Sequence, residues 1–159
     1  MRRFPLYTLT HLAVFIAGIA LGIYLLPILT AAPPPSESTF SELMQGERLM
    51  GRFDRDIRGS DFLHWGEGEV IVSAKRIAHR GKLAPGPDYK LYLVPQFVEN
   101  AEAFLAVKDK SLNLGDVKGF SGFMLNVPPE VDVKAYTTVV IWCERFGKFI
   151  SAAQYRTAG

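Results

Sequence analysis

Cysteine, histidine and phosphate-binding motifs are what this chain has least of. One cysteine, Cys143, occurs among 159 residues, so no intrachain disulfide can staple the fold. Covalent c-type haem attachment is excluded as well, because it takes a C-x-x-C-H motif. The three histidines are His11, His64 and His79; they form no His-x-x-x-His pair, and no glycine-rich phosphate loop is present. No nucleophile–base pair can be named, which leaves a hydrolase or transferase reading without residues. Net charge is scarce too. With Arg2 and Arg3 set aside, 16 basic residues face 16 acidic ones, with no Lys/Arg block. That balance argues against nucleic acid as a partner and against electrostatic adhesion to lipid.

Charge is missing most conspicuously near the N-terminus. Between Phe4 and Ser36 there is no Asp, Glu, Lys or Arg, and the 18 residues Leu12 to Leu29 carry no charge at all. At about 1.5 Å per residue, the run of residues 6–30 spans a hydrocarbon core of roughly 30 Å with some tilt. A water-soluble helix would show a polar face, and this segment has none. Residues 6–30 are therefore expected to be a transmembrane signal anchor. Arg2 and Arg3 precede it, so residues 1–5 are expected in the cytoplasm and the chain after Ala31 outside, periplasmic or extracellular. A cleaved signal peptide is the competing expectation. Its candidate sites fit poorly: Leu29-Thr30-Ala31 is bulky where a small residue is needed, and Thr30-Ala31-Ala32 would leave Pro33 first. Gly18 and Gly22 have the small-xxx-small spacing of a weak helix homodimer, although small residues are also common in unpaired membrane helices.

Residues 31–40 read as a linker stiffened by Pro33, Pro34 and Pro35, holding the domain a few ångströms off the bilayer. Residues 39–48 suit a brief helix. The outer domain, residues 41–159, turns to a period of two. Strands are expected over 70–74 and 76–80, over 89–94 after the Pro85-Gly86-Pro87-Asp88 turn, and over 120–127, 137–142 and 149–155. Residues 100–107 suit either a helix or an irregular loop. Six or seven short strands with little helix predict an all-β fold, a single sandwich or barrel.

Chemistry has few places to reside. Asp54, Asp56 and Asp61 lie close together, but Arg52, Arg55 and Arg58 interleave with them. A solvated loop accounts for them better than a calcium site does. Alternation puts Val139, Ile141 and Cys143 on one face of a strand. From residue physics, Cys143 is a small buried hydrophobe, a partner for another molecule's thiol, or a redox or ligand group. His64 and His79, each taken alone, are ordinary surface or structural histidines.

Several pieces in order carry a resemblance. They are Gly51-Arg52-Phe53, His64-Trp65-Gly66-Glu67-Gly68, Gly86-Pro87-Asp88 with Tyr92-Leu93, and Leu114-Gly115 with Lys118-Gly119. Asn126-Val127-Pro128 follows, then Val139-Val140-Ile141-Trp142-Cys143 with Phe146 and Phe149. Over residues 46–155 the chain resembles the DM-thirteen domain family, a predicted electron-transfer domain. The resemblance implies a compact β-rich domain, secreted or membrane-tethered. Its single cysteine would work as a free redox thiol or hold a prosthetic group such as haem. That role transfers to Cys143, with His64 as a second cofactor ligand. A copper site lacks the short ligand loop after the cysteine, although His64, His79, Cys143 and Met124 supply the residue types.

Two functions follow. One is a redox module in which Cys143 serves an extracytoplasmic partner, which calls for a reachable thiol beside a cation such as Arg145 or Lys148. The other is a non-catalytic binding or scaffolding domain with a buried structural cysteine.

Overall fold

The computed structural model of the chain describes residues 3–157. Residues 1–2 of the expected cytoplasmic tail (residues 1–5) and residues 158–159 lie outside them. Helix α1, Arg3–Leu29, carries Pro27 in its last turn. Over Pro5–Leu29 its mean hydropathy is 2.5 and it is unburied. It is long and apolar enough to cross a membrane, a description that a signal sequence also meets. Nothing lies within 4 Å of where a Cβ on Gly18 or Gly22 would stand.

The linker does not stand clear of the domain. The Ala32 N–H donates to the Lys118 carbonyl at 2.9 Å, and Ile28, Ala31 and Pro34 share a groove with Trp65, Pro85 and Phe120. Consecutive prolines stiffen a chain but leave it free to lie on a surface. Helix α2, Glu37–Gln45, begins earlier than residue 39 because the Ser36 hydroxyl accepts from the Thr39 N–H and caps it. It ends before residue 48, where the backbone becomes extended at Gly46. Its Phe40 and Leu43 bury against Ile71 and Ala78.

Eight strands follow: β1 Leu49–Phe53, β2 Gly66–Val72, β3 Arg76–Leu83, β4 Tyr89–Val94, β5 Leu112–Val117, β6 Phe123–Asn126, β7 Thr138–Cys143 and β8 Lys148–Gln154. They form two four-stranded antiparallel sheets, ordered β1-β2-β3-β6 and β5-β4-β7-β8. The expected β-sandwich is the architecture found. β1 and β5 were not expected as strands. Both are edge strands holding polar or flexible residues (Arg52, Asn113, Gly115, Asp116), so partner hydrogen bonds rather than their own propensity extend them. The strand expected over 120–127 starts only at Phe123, because Gly122 turns the backbone at φ +109°. The undecided segment, residues 100–107, resolves into α3, Ala101–Leu105, capped by the Asn100 side chain; a 3-10 turn, Lys108–Lys110, follows it.

The main core lies between the sheets and is built from Phe53, Val70, Val72, Ile77, Leu91, Leu93, Val139 and Ile141, with Cys143 among them. A second cluster covers the outer face of β4 and β7, where Phe104 of α3 meets Tyr92 and Trp142. All six residues of β7 are buried.

Candidate functional site

β7 carries Cys143 as its last residue, opposite Tyr89 of β4. The chain then turns through Glu144–Gly147. Gly147 takes φ +58°, a conformation that a glycine adopts without strain. The Glu144 N–H donates to the Asp88 carbonyl at 3.0 Å, tying this turn to the segment before β4. A Cβ on Gly86 would lie 2.4 Å from the Tyr89 ring, so only glycine lets the ring fold back over that turn.

The long β1–β2 loop supplies the third wall. Asp61 folds the loop on itself: its Oδ1 accepts from the backbone N–H groups of Leu63 at 2.7 Å and His64 at 2.8 Å, and its carboxylate binds His64 Nδ1 at 2.8 Å. Burial alone would raise the Asp61 carboxyl. The bonds from His64 and Leu63 outweigh it and hold the group below the usual range. With Nδ1 engaged by Asp61, ligation or proton exchange by His64 falls to Nε2. Arg55 stacks on Trp65, its Cζ 3.6 Å from the ring centroid, and pairs with Glu67 at 3.6 Å. Asp54 Oδ1 accepts from the Asp56 N–H, so it shapes the loop as well.

These segments enclose a cleft of about 420 Å³, within the range of small-ligand sites. His64, Cys143 and Tyr89 line it, with Trp65, Phe62 and Phe146 as apolar walls and Ala20, Ile23 and Tyr24 of α1 along one side. The two site residues read from the sequence, His64 and Cys143, thus come together although 79 positions separate them. Tyr89, Phe62 and Arg55 were not singled out. Tyr89 had a signal, since it directly follows the Gly86-Pro87-Asp88 turn.

The thiol differs from what redox exchange was expected to need. Cys143 is 2% exposed. Burial pushes its pKa up, and backbone hydrogen bonds donated by Phe146, Asp88 and Arg145 pull it only partly back, while the Asp88 carboxylate adds to the rise. The expected cationic helpers, Arg145 and Lys148, are exposed; backbone of the turn takes the place of their side chains. Burial, then negative charge at Cys143 and Asp61, drives the Tyr89 hydroxyl strongly upward, so Tyr89 stays a neutral phenol. His79 lies elsewhere, buried between Phe53 and Phe123. Among the described residues no three or more His, Cys, Asp or Glu side chains gather as a metal site would require.

A two-sheet β-sandwich with a thiol–imidazole cleft at one end is the class of protein this geometry defines. The family model for Electron transfer DM13 matches residues 59–155, more than half the chain, and the chain belongs to this electron-transfer family. The match opens at Gly59 in the β1–β2 loop, whereas the resemblance read from the sequence opened at residue 46. No curated protein and no solved structure matches the chain.

Proposed function

We propose that the chain is a membrane-tethered, extracytoplasmic electron-transfer domain whose chemistry is centred on Cys143. One observation carries this reading: segments far apart in sequence (His64-Trp65, Gly86-Pro87, Tyr89 and Phe146) converge on one cleft with Cys143 in its wall. In this reading α1 is an uncleaved anchor, with Arg2 and Arg3 on the cytoplasmic side.

Within the cleft, Cys143 acts as a ligand rather than as an exchanging thiol. A thiol held protonated and 2% exposed is a poor nucleophile. A metal centre, by contrast, deprotonates the thiol it binds, and donated backbone hydrogen bonds suit the resulting sulfur anion. One sulfur and one imidazole in an apolar cleft fit a non-covalent haem, with His64 Nε2 as the second donor. They do not fit blue copper, since His79 sits between Phe53 and Phe123, outside the cleft. Haem would supply the one-electron couple; the chain supplies its ligands, the Asp61 bond that orients His64, and the apolar walls.

The buried, unactivated thiol also favours a second reading, a binding domain with a structural cysteine. Full-length protein in detergent separates them. A Soret band after incubation with haem, lost in Cys143→Ala, is the expected result. A colourless protein whose thiol reacts with a disulfide reagent only after denaturation would overturn the redox reading.

A further inference from the structure

Scattered exposed apolar residues are ordinary on a protein surface, but a contiguous group marks a contact. Phe62 is 90% exposed, Leu63 60% and Phe146 52%. The first two come from the β1–β2 loop and the third from the β7–β8 turn, and all three rim the one cleft. Covering them by an apolar partner removes that surface from water and is favourable.

The geometry points to a lipid bilayer as the occupant of this rim: the domain lies on the membrane with Phe62, Leu63 and Phe146 inserted, and the cleft opens into lipid. This rests on the reading of α1 as a membrane helix. The same cleft is lined by Ala20, Ile23 and Tyr24 of α1. From these residues to the helix end at Leu29 is about 8–14 Å along the axis, at about 1.5 Å per residue. Amphipathic helices that rest in a membrane interface sink their apolar face about 5–10 Å into it. Tyr24 and Ile23 fall within that range and Ala20 lies deeper, so the rim stands beside the outer part of α1, where an apolar face meets lipid. The level is not left to a loose tether, because Ala32 is hydrogen-bonded to Lys118 and Ile28, Ala31 and Pro34 share a groove with Trp65 and Pro85.

The neighbouring side chains suit an interface. Tyr24 and Trp65 are amphipathic aromatics of the kind that gather at headgroup level. Arg145 and Lys148, both exposed, flank Phe146 on its turn, and Arg55 lies over Trp65. Of the acids on these loops and turns, Asp61 is satisfied by His64 and two backbone N–H groups, Glu67, Asp88 and Glu144 pair with Arg55, Lys90 and Lys108, and Asp54 and Asp56 are exposed. The driving term is apolar burial, in keeping with the balance of 16 basic and 16 acidic residues once Arg2 and Arg3 are set aside. A protein partner at this rim would have to share the depth of α1 within lipid. Whatever reaches Cys143 through the cleft then arrives from the lipid side.

Tryptophan emission reads this directly, because the chain has two tryptophans, Trp65 at the cleft and Trp142 buried under α3. Full-length protein is reconstituted into phosphatidylcholine vesicles with and without brominated acyl chains. Wild type is expected to lose up to about half its emission to bromine, the share of one of its two tryptophans. Trp65→Phe is expected to lose little. Phe62→Asp, at a position with nothing to disrupt in the fold, is expected to reduce the quenching. Protein that stays with the vesicles through an alkaline wash while Trp65 goes unquenched overturns the docked orientation and leaves the anchor standing; a rim covered by a second copy gives that result. Protein that washes off the vesicles overturns the anchor and this proposal together.

Discussion

The two faces of β7 end in adjacent residues with opposite fates. Val139, Ile141 and Cys143 face the other sheet, and Cys143 reaches the cleft. Val140 and Trp142 face outward, where a two-sheet sandwich would normally meet water, yet both are buried by Phe104 and Val107. On that outer face, Glu144 accepts from the Tyr92 hydroxyl and from Lys108 Nζ at 2.8 Å. Lys108 stands 5.4 Å from the Trp142 ring centroid. One face is apolar and leads to an opening; the other is closed by an aromatic cluster and sealed with an ion pair. The difference separates what holds the domain together from what it can act with. A strand buried on both faces leaves only its end to reach the cleft, and Cys143 is that end.

The comparison breaks most visibly at Trp142. Trp142→Ala should cost about 3–5 kcal/mol, read by urea denaturation, because Phe104 loses its ring contact with Trp142 and the buried outer cluster is left with a cavity. A loss below 1 kcal/mol would mean that the outer cluster is not a core.

Acid is the next lever, through His79. Its Nε2 donates to the Glu67 carbonyl at 2.9 Å while Nδ1 has no partner among the described groups, and burial holds its pKa below the usual histidine value of 6.5. The unfolded chain therefore binds the extra proton first. The histidine contributes no penalty above about pH 6.5, and below it stability falls by up to about 1.4 kcal/mol per pH unit until the lowered folded pKa is passed. His79→Phe should flatten that slope; an unchanged slope would assign it elsewhere.

Tyr92→Phe should cost about 1–2 kcal/mol by removing a hydrogen bond to a charged group. It should leave the cleft untouched, so any haem spectrum should stay as in wild type. A spectrum that moves with Tyr92 would show the two faces to be coupled.

The smallest effect on stability is expected at the residue proposed to matter most for function. Cys143→Ala removes one buried sulfur and should cost about 1 kcal/mol, at the lower end of large-to-small core changes, while abolishing ligand binding in the cleft. The raised thiol pKa adds a check at high pH. The unfolded thiol ionises first, so wild-type stability should fall above about pH 9 by a component that Cys143→Ala lacks.

Much of this was legible in advance, and particular residues show why. Tyr89 to Val94 is aromatic and β-favouring behind a Pro-Gly-Pro-Asp turn, and the strand found has those bounds. Thr138 to Cys143 is β-branched and aromatic throughout, and is a strand. Leu112 to Val117 carries Asn, Gly and Asp and gave no such signal, since its extension depends on pairing with β4. The cleft was half legible: His64 and Cys143 stood out through the family's motifs. Their shared wall did not, because it is made by loops that approach only when both sheets have stacked.

By itself the sequence determined the apolar segment, the β-rich domain after it, the lone thiol and the face of β7 that bears it. Those follow from local period and composition, which act along the chain. Only the tertiary structure decided that Cys143 is buried and its thiol unactivated, that the linker lies on the domain, and that the β1–β2 loop, the β3–β4 turn and the β7–β8 turn meet in one cleft. Burial and desolvation depend on neighbours brought close by sheet stacking, and no local pattern encodes that distance.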